Sequence, residues 1–231
     1  MLPSFAPIWD RAVARHGEDE LRARFPRIRT AEQLRAVPDD RYLSAMAQRV
    51  FAAGFRWKVI SAKWEGFEEA FQGFDPGWVA DLDAQGIDAL AHDERIVRNR
   101  PKIVATVGNA RFVREVASAH GSFGAWLAAW PDDDPVGLWA ELKARGARLG
   151  GDTGSWVLRM VGKDTFRLSA DVVAALIEAG VVTKKPTGKR ALATVQEHFV
   201  AWKAETSLTM AQLSMVCACS AGEVYDGSNY R

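Results

Sequence analysis

Three stretches of this chain carry residue types suited to chemistry. Leu149-Gly-Gly-Asp-Thr-Gly-Ser155 is a glycine-rich turn between a helix that stops near Gly146 and one that starts around Ser155. Such a turn lets the backbone N–H groups of Gly150, Gly151, Thr153, Gly154 and Ser155 approach a phosphate, with a helix N-terminus behind them. A short helical turn also uses glycine for geometry alone. Trp57, in Ala53-Gly-Phe-Arg-Trp57, offers an indole face that attracts a cation by about 0.5–2 kcal/mol depending on desolvation. The same residue also reads as a core tryptophan beside Phe55 and Val59. Asp171, in Arg167-Leu-Ser-Ala-Asp-Val-Val173, stands at a helix start, where an aspartate commonly caps N–H groups such as those of Val173 or Ala174.

The elements that must position these residues read as helices almost throughout. Leu43, Met46, Ala47, Val50 and Phe51 have helical spacing over Asp40 to Gly54, and Ile60, Trp64, Phe67 and Phe71 continue on the next helix. Pro76 behind Asp75 and Pro101 behind Asn99 are capped starts with proline at the first helical position. Further helices are predicted at Ser122–Trp130, Asp134–Gly146, Asp171–Ala179, Lys189–Lys203 and Ser207–Ser220. No alternating run of strand length appears, so the fold class is all-α. Residues 1–38 form a lead-in packing around Phe5, Ile8 and Trp9. Residues 39–222 form the main helical domain with its hairpin near 146–158, and 223–231 a loose tail.

The wording of two helix starts resembles the 3-methyladenine DNA glycosylase I family. Phe74-Asp-Pro-Gly-Trp-Val-Ala80 matches an FDP-x-x-V-A start, and Ile96 to Ala110 matches I-x-R-x-R-x-K-I-x-A-x-x-G-N-A. The resemblance extends from about Asp39 to Cys219. It implies a helix-hairpin-helix DNA glycosylase fold, with two helical lobes around a cleft and the glycine turn as the hairpin. It also implies that Trp57 stacks on an extruded base. In the wider superfamily an aspartate about twenty residues after the hairpin faces the flipped nucleotide; Asp171 has that offset and could stabilise the sugar cation or position water.

The departures from the family are specific. Arg49 occupies the position of a base-binding glutamate, and a guanidinium is a poor partner for a cationic adenine. Gln48 beside it could bond a base edge instead. The family's zinc ligands, two Cys and two His, are missing: the N-terminus has no cysteine, and Cys217-Ala-Cys219 points its thiols to different sides of a helix. No metal or other cofactor is expected. The termini are then joined by packing, through Phe5, Trp9, Met215 and Tyr225. The hairpin also lacks the lysine that forms a Schiff base in bifunctional superfamily members, and Lys163 is too far along, so no AP lyase activity is expected.

Composition narrows the setting. The 231 residues carry 30 Lys and Arg against 29 Asp and Glu, a net charge of +1. A nucleic-acid partner must therefore be met by local clusters. Bases collect at Arg95–Lys102, at Lys143, Arg145 and Arg148, and at Lys184–Arg190; acids collect at Asp81–Asp93 and Asp132–Asp134. No apolar run approaches the ~20 residues that cross a bilayer. The start, Met1-Leu-Pro-Ser-Phe, reads as no secretory leader, and two cysteines two residues apart fit a reducing cytoplasm. The expectation is a cytoplasmic, monomeric, monofunctional DNA glycosylase in base excision repair. It would excise alkylated bases, foremost N3-methyladenine, from double-stranded DNA, with no membrane partner. The alternative is a catalytically weak or inactive helix-hairpin-helix DNA-binding protein.

Overall fold

The structure, a computed structural model, describes residues 2–222. None of these residues forms a strand. The fold is all-α, as the periodicity predicts. In chain order the helices are α1 (Ala6–His16), α2 (Glu18–Ala23), α3 (Ala31–Arg35), α4 (Asp39–Ala52), α5 (Trp57–Ala62), α6 (Trp64–Ala70) and α7 (Pro76–Ala80). There follow α8 (Ala84–His92), α9 (Arg100–His120), α10 (Phe123–Ala129), α11 (Pro135–Arg145), α12 (Asp152–Met160), α13 (Ala170–Glu178), α14 (Lys189–Thr206) and α15 (Met210–Ala221). Side chains of Asp75, Asn99 and Ser122 accept from the N–H groups of Trp78, Lys102 and Ala125, which fixes the starts of α7, α9 and α10. The run expected from Ile60 to Phe71 is two helices, not one. It bends at Lys63, whose ammonium donates to the Glu94 carbonyl at 2.7 Å.

The chain divides into two compact units, each built from its own helices. The first in size comprises Arg29–Trp130 and Gly137–Lys163. Here α9 is the central helix, with α4, α7, α8 and α10 packed on it and α12 packed on α4. The inward stripe of α9, Ile103, Val107, Ala110 and Val113, meets Met46, Ala47, Val50 and Phe51 of α4 in one apolar core. Trp64, Phe67, Phe71 and Phe74 extend that core as a ladder of stacked rings with centroids 5.0–6.4 Å apart. Gly124 lets α10 lie against α3, since a Cβ there would come within 2.3 Å of the Leu34 carbonyl.

One polar hub ties α4 to α6 in this unit. Glu68 receives both terminal nitrogens of Arg41 at 2.9 Å, the Ser44 hydroxyl at 2.8 Å and the Trp64 indole N–H at 3.0 Å. Burial alone would raise its carboxyl; the hydrogen bonds from Arg41 and Ser44, the Arg41 charge and the Trp64 bond outweigh that and hold it below the usual carboxylate range.

The other unit comprises the described parts of Met1–Ile28, Pro131–Val136 and Asp164–Arg231. Its centre is α15, against which α1, α13 and α14 pack. Asp164 is buried and accepts from the N–H groups of Met210 and Ala211 at 3.1 and 2.9 Å, while Thr209 and Gln212 close a capping box. N-terminal and C-terminal segments meet through Phe5, whose ring lies 5.2 Å from that of Trp202, and through the Trp202 N–H on the Pro3 carbonyl. Glu205 receives Ser4 and Phe5, and Arg15 donates to the Gly222 carbonyl. Trp9 packs under the Arg22 guanidinium. Tyr225 and the tail 223–231 lie outside the described residues.

The Glu68 hub generates a pH prediction. A carboxyl whose pKa is lowered by folding stabilises the fold fully above the unfolded value near 4.3, and that stability is lost as pH falls through the lower folded value. Glu68→Gln should therefore cost about 1–3 kcal/mol at pH 7 in urea unfolding, and the gap to the unaltered protein should shrink below pH 4. An equal gap at pH 7 and pH 3 would show that the charge contributes nothing.

Candidate nucleic-acid interface

The glycine turn is positioned by one buried amide. Asn109, fully buried on α9, accepts the Ala147 N–H at 2.7 Å and donates to the Ala147 carbonyl at 3.1 Å. Its neighbour Gly108 leaves room for the approach, since a Cβ there would lie 3.3 Å from that of Ala147. The Gly-Asn-Ala wording of α9 is thus a clamp on the start of the turn. Arg148 then takes φ +60° and Gly151 takes φ +60°, ψ −137°, a region open essentially to glycine, as the residue capping α12. Helix α12 begins at Asp152 and not around Ser155 as expected. Only Gly150 and Gly151 belong to the turn; Thr153, Gly154 and Ser155 form the first turn of the helix.

That shift changes their roles. In a helix capped by Gly151, the N–H groups of Gly151, Asp152, Thr153 and Gly154 have no intrahelical acceptor and point out of its N-terminus. Gly154 is buried because a Cβ would come within 2.5 Å of the Leu149 carbonyl, and Ser155 is buried with its hydroxyl donating to the Asp152 carbonyl. Gly151 is exposed with open space where a Cβ would go, and the Lys143 stem flanks Gly150. A small helix N-terminus flanked by the Lys143 stem is the result, with Arg148 three residues before its cap. Asp152, exposed in the first turn, places one carboxylate there as well.

The second feature is an aromatic platform on the same unit. Lys102 of α9 is buried, and its ammonium donates to the Phe51 and Ala53 carbonyls at 2.9 and 2.6 Å, closing the C-terminus of α4. It also lies 4.6 Å from the centroid of the Phe55 ring. Burial, and after it the Arg148 charge, holds its pKa below the usual lysine value. With Gly54 at φ +78°, the chain turns here and presents Phe55 and Trp57 to solvent, 44% and 42% exposed. Trp57 is therefore not the core residue that its apolar neighbours allow. Arg49, one turn before the end of α4, inserts its guanidinium between two indoles, 5.5 Å from the Trp57 centroid and 4.5 Å from that of Trp156 on α12. Gln48 is half-buried on the adjacent position of α4.

Asp171 lies in the other unit, on the first turn of α13. Ser169, not Asp171, is the cap: its hydroxyl accepts the Val172 N–H at 3.3 Å. The Asp171 carboxylate faces Gly222, where a Cβ would lie 2.8–3.0 Å from it. Of the basic clusters, Arg95 to Arg100 and Arg145 face neighbouring acids. Arg95 pairs with Asp93 and Glu69, Arg98 with Glu94, Arg100 with Asp88, and Arg145 with Glu141 and Glu115. Among the described residues no group of three His, Cys, Asp or Glu is placed to hold a metal, and no helix is long and apolar enough to cross a membrane. Burial raises the Cys217 thiol well above its usual value, so it is held as a neutral thiol.

The structure thus brings Gln48, Arg49 and Trp57 onto the unit that bears Gly150 to Ser155. Trp156 completes the platform and was not singled out by sequence reading; its signal is a tryptophan directly after Ser155, on the helix that the turn launches. Removing the clamp should release the turn. Asn109→Ala leaves the Ala147 N–H and carbonyl unpaired, and should lower unfolding free energy by about 2–4 kcal/mol by loss of two buried hydrogen bonds. Unchanged chemical denaturation would mean that water replaces the amide without cost.

Similarity to known proteins fits this geometry. Residues 35–146 match the methyladenine glycosylase family. A DNA-3-methyladenine glycosylase of Haemophilus influenzae is 30% identical over 84 residues, 36% of this chain and 45% of that protein. The chain thus spans less than half the length of this relative. A 3-methyladenine DNA glycosylase I solved in complex with 3-methyladenine superposes with a TM-score of 0.50 at 25% identity, covering 62% of this chain and 83% of that one. The 8-oxoguanine DNA glycosylase of Methanocaldococcus jannaschii gives a TM-score of 0.54 over 92% of this chain and 90% of that one, at 13% identity, a likeness of fold alone. The helical architecture resembles that of these DNA glycosylase structures, and the stretch that matches the methyladenine glycosylase family, just under half of the chain, holds Trp57, Lys102 and Asn109.

Proposed function

We propose that this chain is a monofunctional DNA glycosylase that excises alkylated bases from double-stranded DNA in base excision repair. N3-methyladenine, the base named in its relatives' descriptions, is the first substrate to test. The observation that carries this reading is the pairing, on one unit, of an anion-facing helix N-terminus with an exposed indole. A backbone phosphate would meet the N–H groups of Gly151 to Gly154, with Lys143 and Arg148 adding charge. Trp57 would stack on the extruded base, and Gln48 could bond its edge. A cationic methylpurine is already a good leaving group, so no protonating acid is needed and positioning with electrostatics supplies the rest. Asp171 is the candidate carboxylate for the sugar cation or the attacking water, since Ser169 relieves it of capping.

The chain is proposed to act as a cytoplasmic monomer without a cofactor. No strand incision is expected, because the turn holds no lysine and Lys163 is buried with its ammonium on the Trp130 carbonyl at 2.9 Å. A second reading, a weak or inactive DNA-binding protein, is favoured by one observation: Arg49 already occupies a face of Trp57.

Two experiments separate these readings. Duplex affinity should fall steeply with salt, and Asp152→Asn, which removes a carboxylate from the anion-facing end, should tighten it by about twofold or more. An affinity indifferent to both places the interface elsewhere. Methylated duplex DNA should release free methylpurine and retain abasic sites without breaks. Trp57→Ala should lose most of that release, and Asp171→Asn should slow it about 10²-fold if the carboxylate stabilises developing charge. Full activity in Asp171→Asn removes that residue from the site, and binding without any base release establishes the inactive reading.

A further inference from the structure

We propose that residues 183–190 form a second nucleic-acid contact, a seat for the phosphate backbone of duplex DNA that reads neither sequence nor lesion. The inference goes beyond the base-excision reading and does not require it. Its ground is a strongly charged surface on the unit that holds α13 and α14. Lys184, Lys185, Lys189 and Arg190 are all exposed, within seven consecutive residues. No acid occurs in the eighteen residues from 179 to 196, so this stretch carries +4 in a chain whose whole charge is +1. None of the four bases pairs with a described acid, whereas Arg95, Arg98, Arg100 and Arg145 each do.

The segment is anchored by apolar residues and not by its charges. The Val181 N–H donates to the Leu176 carbonyl at 2.9 Å, and Val181 and Pro186 are buried. Lys184 and Lys185 stand between these two anchors, and Lys189 and Arg190 follow as the first two residues of α14. Positive charge in a first turn opposes the helix dipole. Acids favour the fold at such a place, as Glu18, Asp19 and Glu20 do in α2. The two bases of α14 thus work against its stability and remain open to an anion. Beside them Thr183 and Thr187 expose hydroxyls, which also suit phosphate oxygens. No exposed aromatic or large aliphatic side chain accompanies them within 183–190, so the segment has nothing to stack on a base or to insert into a lipid surface. Duplex DNA, with one charge per about 1.7 Å of its axis, can meet several of these bases at once.

Salt-dependent binding of the full chain tests the proposal. The probes are an undamaged duplex and the same duplex with one abasic site. Lys184→Ser combined with Lys185→Ser should weaken binding to both by the same factor, about tenfold, and lower the slope of log affinity against log salt by about one or more. Arg22→Ser combined with Arg114→Ser removes the same charge from two arginines already paired with acids, and should leave the slope nearly unchanged. Lys189→Glu combined with Arg190→Glu should weaken binding further while raising the unfolding temperature, so the loss cannot come from a damaged fold. Equal losses in the lysine and the paired-arginine variants reduce the effect to net charge and overturn the contact. So does a loss confined to the abasic duplex, which assigns the segment to the lesion site. Unchanged duplex binding with lost binding to phosphatidylserine vesicles overturns it in favour of a lipid surface. The predicted losses in a protein that releases no methylpurine support the contact and overturn only the excision reading.

Discussion

A single buried carboxamide holds the candidate site in register. Asn109 satisfies both polar groups of the Ala147 peptide at once, and an amide is the one uncharged side chain that can accept from an N–H and donate to a carbonyl in the same plane. Because α9 is the helix on which α4, α7, α8 and α10 all pack, this clamp ties the turn to the packing centre of its unit. Everything downstream follows from that anchor. The left-handed Arg148 and Gly151 redirect the chain, Gly154 lets α12 approach Leu149, and α12 then lies on α4 and delivers Trp156 to Arg49.

The same helix serves the other half of the site through a different physical device. Lys102 lies two turns before Asn109 and reaches the open C-terminus of α4, where an ammonium meets carbonyls that the helix leaves unpaired. Its burial is tolerable because both carbonyls and the Phe55 ring face it. One helix thereby sets the start of the hairpin with an amide and the aromatic loop with a cation. That division explains why lysine and asparagine, neither of them suited to a core, are both buried on α9.

Much of the fold was legible because its helices are punctuated by local chemistry. Asp75-Pro76, Asn99-Arg-Pro101 and Ser122 announce starts that the structure keeps, and the apolar stripes of α4 and α9 predict the faces that meet. Legibility fails where tertiary contacts decide. The start of α12 moved to Asp152 because Gly151, not a side chain, is its cap, and the long helix expected after Ile60 bends at Lys63. At the candidate site, Gln48, Arg49 and Trp57 were singled out through the resemblance, but the approach of Arg49 to both Trp57 and Trp156 was not. Arg49 and Trp156 are separated by a hundred residues and joined only by the packing of α12 on α4. The basic group Arg95 to Arg100 is the opposite case: acids that pair with it, such as Asp88 and Asp93, are near in space and read as a separate group in sequence.

The central claim is that the α12 N-terminus and the Trp57 platform form one DNA-facing surface. Backbone and indole NMR signals, followed as a short duplex containing an abasic site is added, address it most directly. The account predicts that the amides of Gly151 to Gly154 and the indole N–H groups of Trp57 and Trp156 shift together at one stoichiometry, and that high salt reverses them together. Saturable binding that leaves those amides and indoles unmoved while shifting signals elsewhere would contradict it.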